Sequence, residues 1–202
     1  MFKKNLAIII ILGMALFLCS CAAATARKHL NNAKELEQKG LRLQANTEYI
    51  RALRGIGNRK TRGEVAQTIA ENYLRAGRVE DAISYYRTSI DNFNRAGAQP
   101  PYVRLAEVYL MEGDKNIGAA SALLRDIDRV EPPHGIEMQV RISRLLGDYM
   151  MDKGNWGQAK HFYEQEFSKY AEKSGNEAYI EEAKQKLMNI EIQQKQAPIR
   201  ID

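Results

Sequence analysis

The residue types that most often do chemistry are few and scattered in this 202-residue chain. His29, His134 and His161 lie far apart, and none has a second histidine or a cysteine at metal-ligand spacing. Glu35 with Glu37, and Glu181 with Glu182, would be the acid and base of a carboxylate pair, yet each lies in a stretch of helical periodicity where such residues form a solvated face. No phosphate-cradling glycine loop, nucleophile elbow or helical His-Glu-His triplet occurs. The expectation is a noncatalytic protein without metal, cofactor or small-molecule substrate. Trp156 either packs on its own helix pair or stands out as an anchor.

Both cysteines fall within the first 21 residues, which turns the question from catalysis to processing. Lys3 and Lys4 precede an uncharged apolar run from Leu6 to Leu18, the layout of a secretory leader. As a helix that run rises about 20 Å, short of the roughly 30 Å hydrocarbon core of a bilayer. Leu18, Cys19, Ser20, Cys21 and Ala22 follow. An aliphatic residue three places before a cysteine, with a small residue just before it, resembles the bacterial lipoprotein signal and selects Cys21 for lipid attachment. A plain signal peptide or an uncleaved anchor is the alternative. The resemblance implies a signal peptide over 1–20, a lipidated linker over 21–26, and, from Ala22, delivery to the periplasmic face of the outer membrane in a Gram-negative cell. An acylated Cys21 would leave the mature chain without a thiol.

The rest of the chain repeats. Gly40, Gly77, Gly113 and Gly154 are spaced by 37, 36 and 41 residues. Seven positions before them stand Ala33, Ala70, Ala106 and Gly147, and five or six after them Ala45, Ala82, Ala119 and Ala159. Tyr49, Tyr86, Leu123 and Tyr163 come four further on. Small residues let two helices approach closely, large ones fill the space beside the crossing, and glycine ends the first helix. Such helix pairs cannot bury their apolar faces alone and must stack. The 41-residue spacing predicts a longer loop over Pro132 to Glu137.

This frame resembles the tetratricopeptide repeat, a helix, turn, helix unit, over about 150 residues. The resemblance implies an all-α, right-handed solenoid of about four units, over 27–175 (about 27–60, 63–97, 99–133 and 140–174). Ala178, Tyr179, Ala183, Leu187 and Ile190, at helical spacing, predict a capping helix over 176–195, followed by a flexible tail over 196–202.

In tetratricopeptide arrays the first helices line a groove that binds peptides or partner helices. Carried over, that face comprises Leu30, Lys34 and Glu37; Gln67, Glu71, Leu74 and Arg75; Val103, Glu107, Leu110 and Met111; and Arg144, Asp148, Met151 and Asp152. Leu74, Leu110, Met111 and Met151 either form an apolar docking stripe or, for Leu110 and Met151, pack between adjacent units. Glu71, Glu107 and Asp148 would form an acidic line facing a basic partner. That line is opposite to the Lys, Asn and Arg of arrays that clamp a terminal carboxylate.

The formal net charge is +5, two of it from Lys3 and Lys4, and the basic residues are mixed with acids along the helices, so no nucleic-acid partner is expected. A lipidated cysteine before a short array is similar in architecture to the lipoproteins that escort a pilus or secretion channel. This implies a scaffold with protein partners in the cell envelope, tethered to the membrane by its lipid. Peptidoglycan synthesis, polysaccharide export or a motor are other envelope settings. A permanent noncatalytic subunit of an envelope enzyme, exporter or motor complex is the alternative.

Overall fold

The computed structural model describes residues 22–127 and 134–196, and the described residues are helical with short turns and no strand. The predicted signal peptide, Cys21, Pro132, Pro133 and residues 197–202 lie outside them. The chain divides between Pro100 and Pro101 into two compact units.

The first unit holds two helix pairs: α1 (22–38) with α2 (Arg42–Leu53), and α3 (Arg59–Arg75) with α4 (Val79–Arg95). Three turns end helices in the same way. Gly40, Gly77 and Gly97 take φ values of 76°, 72° and 62°. The amide one residue later turns back five positions: Leu41 donates to the Leu36 carbonyl at 2.9 Å, Arg78 to Tyr73 at 2.9 Å and Ala98 to Phe93 at 3.0 Å. These are Schellman closures, and the positive φ explains the glycine. Asn58 caps α3 by accepting from the Thr61 amide at 2.9 Å.

Ala33, Ala45, Ala70 and Ala82 are fully buried where the paired helices cross, with Tyr49 and Tyr86 buried beside them. Gly63 lies under the Phe93 ring, where a Cβ would come within 3.1 Å of three ring carbons, and Ser89 donates to the Gly63 carbonyl at 2.8 Å. Between α2 and α3 a polar pair replaces apolar packing. Asn46 donates to the Ile69 carbonyl and Asn72 donates to Asn46, each at 3.1 Å, and both residues are buried. Buried amides with directional partners fix how α2 and α3 slide past each other.

Residues 22–26 are helical, so the described part of the segment 21–26 expected as a linker is instead part of α1. Two causes are visible. Ala22, Ala23 and Ala24 are the strongest helix formers, and Ala26 is buried against Gly55.

The second unit begins with α5 (Tyr102–Met111), a 3₁₀ turn (Asp114–Asn116) and α6 (Ile117–Asp126). It continues with α7 (His134–Asp152) and a rod formed by α8 (Trp156–His161), a π turn (Phe162–Phe167) and α9 (Ser168–Ser174). The last described helix is α10 (Glu177–Gln196). Gly154 repeats the Schellman closure, with φ 70° and Asn155 donating to the Met150 carbonyl at 2.9 Å. Gly113 does not: at φ 93° and ψ −168° it leads into the 3₁₀ turn.

That turn shifts the third pair by one position. The fully buried alanine on α6 is Ala120, while the expected Ala119 is only half-buried. A second correction concerns the long loop. His134 to Glu137 form the first turn of α7, so the described part of the predicted loop is helix, and His134 lies on that helix.

Candidate functional site

The first helices of the pairs are α1, α3, α5 and α7, and the predicted groove residues fall on them in very different environments. On α1, Leu30 packs against the core, Lys34 is exposed, and Glu37 accepts from the Tyr49 hydroxyl at 2.8 Å. On α3, Gln67 and Leu74 are half-buried, Arg75 is exposed, and Glu71 accepts from the Tyr86 hydroxyl. On α5, Val103 and Leu110 are buried, Glu107 is paired with Arg104 at 2.8 Å, and Met111 is 68% exposed. On α7, Met151 is half-buried and Asp152 exposed. Trp156, half-buried, opens α8.

The acidic line is therefore not a row of free charge. Tyr49 to Glu37, Tyr86 to Glu71 and Tyr163 to Asp148 are one repeated contact, in which a tyrosine of the second helix donates to an acid of the first. Asp148 also accepts from Lys186 of α10 at 2.5 Å, and Arg144 pairs with Glu182 of α10 at 3.3 Å. Two of the four α7 positions are thus engaged by the chain's own last helix. Sequence spacing puts the acids on first helices and the tyrosines on second helices but does not show that they meet, because the contact spans two helices.

Burial and then the hydrogen bond to Asp148 push the Tyr163 hydroxyl well above the ordinary tyrosine range; burial and Glu37 do the same to Tyr49. A raised folded value favours the folded state fully below the unfolded value, near pH 10, and that advantage is lost as pH rises above it. The test is an alkaline titration followed by phenolate absorbance, read against the ordinary tyrosine value near pH 10. Tyr49 and Tyr163 should ionise only in a later step that coincides with loss of helical circular dichroism. Tyr163→Phe should diminish that step; a single ordinary transition in the wild-type chain would count against the two pairings.

Glu48 is held below the usual carboxylate range by its hydrogen bond from His29, at 2.6 Å, and by Arg51. Among the described residues, no group of three or more His, Cys, Asp or Glu is placed to hold a metal ion, and no helix is long and apolar enough to cross a membrane.

The glycine-closed helix pairs, the small residues at their crossings and the tyrosines beside them define an all-α fold of repeated helix pairs. No protein-family model matches the sequence, and no curated protein sequence is significantly similar to it. Among solved structures, the crystal structure of MamA protein is similar, at 16% identity and a TM-score of 0.46, over 88% of this chain and 98% of that one.

Proposed function

We propose that the chain is a lipid-anchored, noncatalytic protein-binding scaffold. In this reading it helps to assemble or localise a bacterial envelope complex of the pilus or secretion type, attached through Cys21 at the periplasmic face of the outer membrane. The observation that carries the binding role is Met111. It ends a first helix, is 68% exposed, and follows three consecutive buried residues, Val108 to Leu110. A large apolar side chain presented on a well-packed helix is a contact available to a partner. The leader-like N-terminus and Cys21 support the anchor.

The test is copurification from crosslinked cells, with wild-type chain beside Met111→Asp. A partner recovered with the wild type and lost with the variant supports the scaffold, and a ring-forming channel as that partner supports the pilus or secretion setting. A stoichiometric enzyme or exporter would instead make the chain a permanent subunit. Equal recovery with both chains would remove Met111 from the interface. Separately, Cys21→Ser should release the chain from the membrane fraction; unchanged membrane association and mobility would overturn the lipid anchor.

A further inference from the structure

Charge is divided unevenly between the two ends of the first unit. Residues 22–30 and 51–62 contain seven Lys and Arg and no Asp or Glu. The fold brings these stretches together. Gly55, just after α2, sits so close to α1 that a Cβ on it would lie 2.5 Å from the Ala22 carbonyl oxygen and 2.9 Å from the Ala26 Cβ. Arg62, in the first turn of α3, donates to the Ile56 carbonyl at 3.5 Å.

Arg27, Lys28, Arg54, Arg59 and Lys60 are exposed, and among the described residues none of the five has a carboxylate within ion-pair distance. Of the acids at this end, Glu48 is held between His29 and Arg51, Asp91 is paired with Arg95 at 2.9 Å, and Glu64 lies a turn further along α3. At the opposite end the charges are mixed and paired, Lys39 with Glu35 at 2.5 Å and Arg78 with Asp81 at 2.6 Å. Between α1 and the end of α2 an open hollow of about 510 Å³ has small floor residues, Ala22, Ala26 and Gly55, and a rim that includes His29, Arg51 and Arg54.

We propose that this basic end of the first unit is a docking surface for the phosphate headgroups of an anionic membrane. The location of that membrane rests on the anchor proposed above, because Ala22 is bonded directly to Cys21. A helix rises 1.5 Å per residue, so Lys28 lies about 9 Å along α1 from Ala22, comparable with the roughly 8 Å screening length at physiological salt. Basic residues at that distance from an anionic leaflet are attracted to it. A multiply acylated cysteine needs no help in staying attached; the basic end sets which side of the first unit faces the lipid.

The experiment uses the chain extracted from bacterial membranes and reconstituted into vesicles of phosphatidylcholine with or without phosphatidylglycerol. Lysine acetylation by an N-hydroxysuccinimide ester is followed by mass spectrometry. Lys28 and Lys60 should be labelled roughly fivefold more slowly on phosphatidylglycerol vesicles than on pure phosphatidylcholine, with Lys39 unchanged. The difference should vanish at about 1 M salt, where screening extends only about 3 Å, and should shrink in Arg54→Glu/Arg59→Glu. Equal labelling on the two vesicles overturns the proposal, as does protection that survives salt. The mass of the N-terminal peptide and flotation with pure phosphatidylcholine report the anchor separately. An acylated, floating chain with unprotected lysines overturns the docking surface alone. An unacylated chain that does not float with phosphatidylcholine, yet is protected on phosphatidylglycerol, overturns the anchor and keeps the surface.

Discussion

Leu110→Asp should cost about 3–5 kcal/mol of stability, from the lost burial of a leucine and the burial of a carboxylate in its place. Leu110 is only 9% exposed, and it follows Val108 and Tyr109, which are 0% and 3% exposed. Against the 5–15 kcal/mol that typically holds a domain together, a loss of this size removes a large part of the margin. Met111→Asp, one residue later, should change stability by no more than about 0.5 kcal/mol, as surface substitutions do. Urea unfolding followed by circular dichroism separates the two. A Leu110→Asp chain as stable as wild type would show that the leucine is surface, and would return it to the docking stripe. The contrast also decides how partner binding is probed: a variant at Leu110 confuses lost binding with lost folding, whereas Met111 does not.

Gly147→Ala should destabilise the chain by about 3 kcal/mol although alanine is the better helix former. A Cβ on Gly147 would lie within 2.7 Å of three carbons of the Tyr163 ring. The ring has little room to retreat. Tyr163 is fully buried, its hydroxyl is bound to Asp148, and the Lys186 ammonium lies 5.8 Å from its centroid. The corresponding positions in the other pairs hold Ala33, Ala70 and Ala106, each fully buried, so a methyl group is accommodated there. The fourth pair is tighter, and Tyr163 lies in the π turn of its second helix. Double-mutant thermodynamics tests the cause: combined with Tyr163→Leu, Gly147→Ala should cost about 1–2 kcal/mol less than it does alone. Additive losses would mean that the ring is not what the methyl group meets.

These two sites show what sequence spacing captures and where it stops. The four repeated glycines were legible because a helix end with positive φ strongly favours one residue type, and all four adopt positive φ. The small residues Ala33, Ala70, Ala106 and Gly147 were legible because close helix crossings leave no space for more. Ala120 was missed in favour of Ala119 because a 3₁₀ turn advances the chain by a different amount per residue, and nothing in Asp114–Asn116 announces it. The start of α7 was missed because Pro132 and Pro133 suggested a loop continuing beyond them, whereas the helix is already formed at His134. For the candidate site, residue spacing identified the first-helix positions but not their environments. Val103 and Leu110 are buried, and Glu71 and Asp148 are bonded to tyrosines 15 positions away, a pairing that depends on how the second helix folds back.

The last helix repeats a relation found inside the array. Glu182 meets Arg144 and Lys186 meets Asp148, both 38 positions apart, and Ala183 is buried 36 positions after Gly147. These offsets are close to the length of one unit, so α10 behaves as the opening half of a fifth. A helix seated in this way is interchangeable with the first helix of any further pair, provided the pair before it presents an arginine and an aspartate one helical turn apart. In such an architecture a pair can be added or removed while the contact between neighbours keeps the same chemistry.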